Sequence, residues 1–308
     1  MSPIRIAIIG AGKIACDQHL PAITASSDFV LAGTVGPVDP CLTDVPHFAT
    51  LDALLEADPS VAAAAICTPP QLRHALASAA IARRLHVLLE KPPGATLGEV
   101  AALRQAASDA NVTLFASWHS RFAAGVAPAR EWLVGKRIGK ASIIWREDVR
   151  VWHPGQAWIW QAGGLGVFDP GINALSIATE IFAEPLFLVS AALETPSNCA
   201  APVAAQLDMR LGSGAAVNVD LDFLQVGPQS WDITVETDAG TLKLAMGGAL
   251  LTLPEGHTAS EDKEYPAVYA HFAELIRNGK SDVDVRPLAL VADAFLIGHH
   301  EKTAPFIE

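Results

Sequence analysis

The 308-residue chain is short of positive charge. Its 21 Lys and Arg stand against 33 Asp and Glu, a formal charge of −12 at pH 7. Phosphate binding needs a basic face, so nucleic acid is disfavoured as a partner, and the acidity mainly serves solubility. Long hydrophobic runs are also missing. The longest, such as Val61–Cys67, are strand-length and far too short to span a bilayer. Cysteine is scarce. Cys16, Cys41, Cys67 and Cys199 are widely spaced without a C-x-x-C or C-x-x-H pattern, which makes all four expected thiols rather than zinc ligands or a disulfide framework. No grouping of His, Asp and Glu has a metal-ligand spacing, so no metal is expected. The N-terminus, Met-Ser-Pro-Ile-Arg, enters a strand pattern without a signal-peptide layout, and a cytoplasmic location is the expectation. There is no internal repeat and no low-complexity tail.

What is present is globular. Apolar residues make up 51% of the chain, and its length accommodates two domains. In the first part, apolar runs alternate with helical stretches. Ile4–Ile9, Phe29–Val35, Val61–Cys67, His86–Glu90 and Thr113–Ser117 read as buried strands. Helical patterns lie at Ile14–Ala25, Leu51–Ala57, Leu72–Arg84 and Leu97–Ala110, the last opened by the capping box Thr96-Leu97-Gly98-Glu99. This alternation predicts a parallel sheet with helices on both faces. After Trp118-His119-Ser120 the pattern changes. A helix is expected at Pro128–Val134, then strands at Ala141–Val149, Leu186–Leu193, Val203–Arg210, Ala215–Phe223, Trp231–Thr237 and Thr241–Ala245. Helices at Asp169–Phe182, Tyr265–Asn278 and Pro287–His300 complete it. The fold class is therefore α/β. A dinucleotide-binding domain over residues 1–120 precedes an α+β domain over 121–308 with an open, mostly antiparallel sheet.

Gly10-Ala11-Gly12-Lys13-Ile14-Ala15 follows the first strand and opens a helix. Glycine allows the tight turn and a close backbone approach to a pyrophosphate, and the helix N-terminus offers amides to the anion. Candidate cofactor contacts are Gly10, Gly12, Lys13 and Ile14 in this turn, Gly36 after the second strand, Cys67-Thr68-Pro69 after the third, and Glu90-Lys91 after the fourth. An acid at the end of the second strand would favour NAD, and an arginine NADP. The sequence Thr34-Val35-Gly36-Pro37-Val38-Asp39 carries neither signal in the usual place. Asp39 lies further along the loop, and no basic residue occurs from Val30 to Pro46, which leans toward NAD. The prolines after Cys67-Thr68 serve a plain strand-to-helix turn equally well.

Two further motifs carry chemistry. Glu90-Lys91-Pro92 puts an ammonium at the carboxyl edge of the sheet, where ligands collect. There it can hydrogen-bond an oxygen at which charge develops, or take a proton if its pKa is lowered. The plainer reading is a surface lysine paired with Glu90. Asp169 and Asn173, four apart, share one helix face behind the glycine-rich Gly163-Gly164-Leu165-Gly166, an approach that would let the helix end sit close to a ligand. Asp169 would also serve as an N-cap alone. Between these motifs, Trp152-His153-Pro154-Gly155-Gln156-Ala157-Trp158-Ile159-Trp160 interleaves rings with polar groups. Sugar rings offer apolar C–H faces to indoles and hydroxyls to fixed polar groups, although the segment also suits an aromatic loop packed on the second sheet. His119, Glu147 and Trp231 join it as candidates.

With these residues in place, the chain resembles the Gfo/Idh/MocA oxidoreductases along its whole length. The resemblance is carried by the glycine turn, Cys67-Thr68-Pro69-Pro70, Glu90-Lys91-Pro92 and the helix of Asp169. It is closest to the aldose 1-dehydrogenase branch through Lys91 to Glu99, Trp118-His119-Ser120-Arg121, Glu147-Asp148-Val149-Arg150, Trp152-His153-Pro154-Gly155-Gln156, Gly163 to Asn173, and Asp282 to Pro287. It implies oxidation of a cyclic aldose (D-galactose, L-arabinose, D-fucose) at C1 to the lactone, with NAD or NADP. It also implies a homo-oligomer through the open sheet. Lys91 falls in the family's catalytic lysine motif and Asp169 at its catalytic acid. Asn173 stands where many relatives have histidine, so the proton must pass to Asp169 or Lys91. His119, Glu147, Trp152, His153 and Trp231 fall where that branch contacts sugar. The same fold acting on an inositol, a dihydrodiol or another sugar derivative, or serving as a nucleotide-binding regulator without turnover, is the alternative.

Overall fold

A computed structural model describes residues 2–37, 45–259 and 263–308. The chain divides into two compact units. One is Met1–His119 with Tyr265–Val285, and the other is Ser120–Glu264 with Arg286–Glu308.

The first unit is built on a six-stranded parallel sheet of β1 (Ile4–Ile9), β2 (Phe29–Val35), β3 (His47–Phe48), β4 (Ala63–Ile66), β5 (His86–Glu90) and β6 (Leu114–Ser117), in the order β3-β2-β1-β4-β5-β6. Its central strands are buried on both faces, as β4 shows with four buried residues in succession. The crossovers run through α1 (Leu20–Ala25), α2 (Leu51–Ala57), α3 (Pro70–Ala82) and α4 (Leu97–Ala110). A π-helical turn, Ala15–His19, precedes α1. Thr50 and Thr96 cap α2 and α4 through their hydroxyls, and the Glu99 carboxylate accepts from the Ala95 amide near the start of α4.

The helix Glu264–Asn278 contributes its buried face, Tyr265, Val268, Tyr269 and Phe272, to this first unit. Phe29 stacks on Phe272 at 5.6 Å and meets Tyr269 edge-on at 5.5 Å. Hydrophobic packing, which ignores chain order, thus draws a late segment onto the N-terminal sheet.

The second unit holds a nine-stranded mixed sheet. Its strands are β7 (Ile138–Arg146), β8 (Leu186–Pro196), β9 (Ala204–Leu211), β10 (Ala216–Asp222), β11 (Ser230–Thr237), β12 (Gly240–Ala245), β13 (Leu250–Leu253), β14 (Gly256–Ala259) and β15 (His299–Thr303), ordered β14-β13-β12-β11-β7-β10-β9-β8-β15. The β7–β10 and β8–β15 pairs are parallel and the rest antiparallel, so the sheet is mostly antiparallel as expected. Strict alternation of burial along β9 shows one face on the core and the other open. Helices α5 (Val126–Leu133) and α7 (Phe168–Ile181) pack together, and α7 also packs against the helix Arg286–Ile297 and β7. α7 is buried on almost every side, which suits its nearly continuous apolar sequence. A single turn, α6 (Val149–Trp152), follows β7.

Three expectations change. Residues 147–149, read as the end of a strand, leave β7 because Asp148 accepts the Arg150 amide at 3.0 Å and starts α6. The last helix stops at Ile297, and His299–Thr303 is instead edge strand β15. Cys16 is disulfide-bonded rather than a thiol, whereas Cys67 and Cys199 are free. No helix among the described residues is long and apolar enough to cross a membrane.

Candidate active site

The carboxyl edge of the parallel sheet gathers the first set of candidates. β1 is followed by Gly10, whose amide donates to Val35 O at 2.9 Å. Its φ of +88° suits glycine, and a Cβ there would meet the Thr68 methyl at 2.5 Å. A Cβ on Gly12 would point into open space. The Thr68 hydroxyl is buried without a hydrogen-bond partner among the described residues. A tight turn, an open approach over Gly12 and an orphaned buried hydroxyl beside them fit the pyrophosphate of a dinucleotide. Lys13 is bound to Asp17 one turn along the helix and Ile14 is exposed, while Cys67 is buried at the end of β4 with its amide on Ile9 O. Gly36 has open space where a Cβ would stand. Asp39 lies outside the described residues.

Lys91 follows β5 on a heavily braced loop. The Glu90 carboxylate accepts from the Lys91 amide at 2.9 Å, from Tyr265 Oη at 2.8 Å and from His19 Nε2 at 3.0 Å. Arg73, reaching from α3, donates to the carbonyls of Glu90, at 2.7 Å, and Pro92, on either side of Lys91. Glu90 is therefore a buried carboxylate that holds the lysine loop from the interior rather than a surface group. Burial opposes its charge, yet the hydrogen bond and charge of His19, with His119 and Arg73 nearby, hold its pKa far below the usual carboxylate range. Burial likewise works against charging His19, but Cys67, Tyr269 and Glu90 raise its pKa well above the ordinary value. Of these, Glu90 is the charged partner, because burial pushes the Tyr269 phenol up to about 12 and leaves it neutral. His119 lies in this unit too, its ring 5.3 Å from that of Tyr265.

The second unit assembles the remaining candidates. Glu147, buried just after β7, accepts from His153 Nε2 at 3.1 Å and from Trp231 Nε1 on β11 at 2.8 Å. The opposite ring nitrogen of His153, Nδ1, lies 3.8 Å from Asp169 Oδ2 on α7. Trp152 and Trp231 bring their rings to 4.8 Å, and Trp152 stays 40% exposed. A polar cluster flanked by a partly open indole is suited to a polyhydroxylated ring. Asn173 is one turn beyond Asp169, and its side-chain amide makes no hydrogen bond among the described residues. Trp158 and Trp160 are only half-buried. The Trp160 ring packs against Phe306 and Phe223. The glycines before Asp169 also have a structural purpose. A Cβ on Gly164 would stand 1.9 Å from Trp158 O, so this glycine lets the chain pass its own backbone rather than a ligand.

His19, Arg73, Tyr265 and Tyr269 were not anticipated from sequence. Only a polar residue inside an apolar helical face marked His19, and nothing local linked it to Glu90. Among the described residues, no group of three or more His, Cys, Asp and Glu could hold a metal ion.

Comparison with known proteins matches this arrangement to a family. The Gfo/Idh/MocA family model, described as an oxidoreductase family with an NAD-binding Rossmann fold, matches residues 4–117. A galactose 1-dehydrogenase of Pseudomonas fluorescens is 47% identical, covering 100% of both chains. The crystal structure of a D-galactose-1-dehydrogenase from Rhizobium etli superposes with a TM-score of 0.95 at 49% identity, covering 100% of this chain and 99% of that one. A 3-ketoreductase from Actinomadura kijaniata, in complex with TDP-benzene and NADP, shares the fold at a TM-score of 0.82 and 16% identity over 98% of this chain and 99% of its own. The chain belongs to the Gfo/Idh/MocA family of oxidoreductases with an NAD-binding Rossmann fold.

Proposed function

We propose that the protein is an NAD(P)-dependent aldose 1-dehydrogenase that oxidises the C1 hydroxyl of a cyclic sugar to the lactone, with D-galactose, L-arabinose and D-fucose as substrates. The observation that carries this reading is the cluster of Glu147, His153, Asp169 and Trp231 beside the half-exposed Trp152. The full-length likeness to a galactose 1-dehydrogenase supports it. Trp152 and Trp231 stack on the C–H face of the ring, and Glu147, His119 and His153 read its hydroxyls. Asp169 takes the C1 hydroxyl proton, directly or through Lys91. Lys91 and Asn173 hold the C1 oxygen and its neighbours as the carbonyl forms. The bound nicotinamide supplies the hydride acceptor. Gly10, Gly12, Lys13, Ile14, Gly36, Cys67, Thr68, Pro69, Glu90 and Lys91 are its proposed contacts. The absence of a basic residue from Val30 to Pro46 favours NAD over NADP.

D-Galactose and L-arabinose share ring stereochemistry from C1 to C4, so the site should reject epimers more strongly than it separates these two. We further propose a homo-oligomer through the open face of the second sheet, where Ile144, Phe187 and Val189 are exposed. Light scattering of the purified protein tests that. The activity is tested by following reduced nicotinamide with a panel of aldoses, inositols and dihydrodiols against both cofactors. Turnover of galactose or arabinose supports the reading. Turnover of only an inositol or dihydrodiol, or cofactor binding without turnover of any substrate, overturns it.

A further inference from the structure

Asp169 is only 3% exposed, which poses a problem for a base that must lose its proton in every turnover. Asn173, one turn along the same helix, cannot help, because an amide does not accept a proton at neutral pH. His153 offers a way out. Its side chain is 19% exposed, and its two nitrogens face two buried carboxylates: Nε2 stands 3.1 Å from Glu147 Oε1 and Nδ1 3.8 Å from Asp169 Oδ2. Among the described residues these are the charged groups facing the ring, with Phe223 packed against it at 5.5 Å.

Glu147 decides the tautomer. A carboxylate can only accept, so a neutral His153 donates its Nε2–H to Glu147 and leaves the Nδ1 lone pair toward Asp169. The Trp231 indole N–H, on the other oxygen of Glu147, helps hold that carboxylate in place. Helix α6 then sets the ring's position, with the His153 amide on Val149 O at 2.8 Å and Asp148 capping the turn.

We propose that His153 is the proton relay that resets Asp169, with Glu147 fixing its tautomer. This rests on the aldose dehydrogenase reading. As C1 is oxidised, its hydride leaves with the bonding pair to the nicotinamide, and the hydroxyl proton goes to Asp169 while the O–H electrons form the new carbonyl bond. The Asp169 proton then passes to His153 Nδ1, and the imidazolium releases one proton to water, returning both groups to their starting forms. The 3.8 Å separation closes on substrate loading, as separations in ligand-free sites commonly do. In this step His153 acts on the reaction through Asp169, separately from its contact with a sugar hydroxyl.

The test compares wild type with His153→Ala and His153→Gln, measuring kcat and KM for D-galactose from pH 6 to 9, with and without added imidazole. His153→Gln can keep a hydrogen bond to Glu147, and its melting temperature and nicotinamide-nucleotide binding certify a folded protein. The expected result is a kcat lowered by roughly 10- to 100-fold in both variants, alongside the rise in KM that the lost hydroxyl contact brings. The deficit of His153→Ala should shrink as imidazole is added, while the wild type is indifferent to it. A folded His153→Gln with wild-type kcat overturns the relay. So does a loss seen only in KM, or a kcat deficit that imidazole leaves untouched. A wild-type protein that oxidises no aldose overturns the underlying reading itself, and the relay with it.

Discussion

His19 Nε2 lies 3.0 Å from Glu90 Oε1 in the interior of the first unit, joining residues 71 apart in the chain. The pair sits directly behind the loop of Lys91. Tyr269 Oη on His19 Nδ1 and Tyr265 Oη on Glu90 Oε1 tie it to the helix Glu264–Asn278. The lysine loop is thus anchored to two distant parts of the sequence through one buried ion pair.

This pair predicts a pH-dependent stability. Glu90 has a lowered folded pKa, so its contribution is complete above the ordinary value of 4.5 and is lost as pH falls toward the folded value. His19 has a raised folded pKa, so its contribution is complete below 6.5 and is lost as pH rises through the folded value. Replacing one member strands the other, at a cost of about 3–5 kcal/mol. Thermal melts of wild type and His19→Gln should differ most between pH 4.5 and 6.5 and converge at higher pH. A gap that widens with rising pH would contradict the assignment.

Arg73 brackets Lys91 through the carbonyls on both sides. Arg73→Met removes both donors and leaves each buried acceptor short, worth about 1–3 kcal/mol apiece. A lower melting temperature is expected, with kcat reduced because the loop loses its register. Equal melting and equal turnover would show that the guanidinium does not hold the loop.

Asp169→Asn should lower kcat by roughly 10²- to 10⁴-fold, the usual worth of a general base, with nucleotide affinity retained. Asn173→Ala should cost less, since an amide supplies only hydrogen bonding. Steady-state kinetics on both variants read the comparison, and the reverse ranking would exclude Asp169 as the base.

Trp231→Phe keeps an aromatic face but removes the N–H that reaches Glu147 Oε2. A lost hydrogen bond to a carboxylate is worth about 1.5–3 kcal/mol, so kcat/KM for galactose should fall about tenfold or more. An unchanged kcat/KM would separate Glu147 from sugar binding.

Much of the fold was legible in the chain. Ile4–Ile9, Phe29–Val35 and His86–Glu90 are strands at the bounds their apolar runs suggest, and Leu51–Ala57 and Leu97–Ala110 are helices between their caps. Buried parallel strands and capped helices write themselves locally, as continuous apolar runs and as Thr at the cap position. β13, β14 and β15 were not legible. Short strands at a sheet edge or next to it need little more than a partner's unpaired backbone groups and leave little mark in side-chain pattern.

The candidate site divides the same way. Trp152 and His153 stand side by side in the aromatic segment that the chain displays, and Glu147, close before it, was a further candidate. That the Trp231 indole would close on Glu147 from another strand was not legible, and neither was the binding of Glu90 by His19 and Tyr265.

The sequence by itself determined the element types, the glycine turn after β1 and the residue types available for chemistry, because these depend on backbone freedom and local hydrophobic period. Only the tertiary structure decided that Glu90 is a buried anchor for the lysine loop, and that Gly164 admits the chain's own carbonyl rather than a ligand. It also decided that His153 stands between two carboxylates. Each of these depends on which distant groups share a low-dielectric interior, where a buried charge must find its partner, and no local pattern in the chain records that.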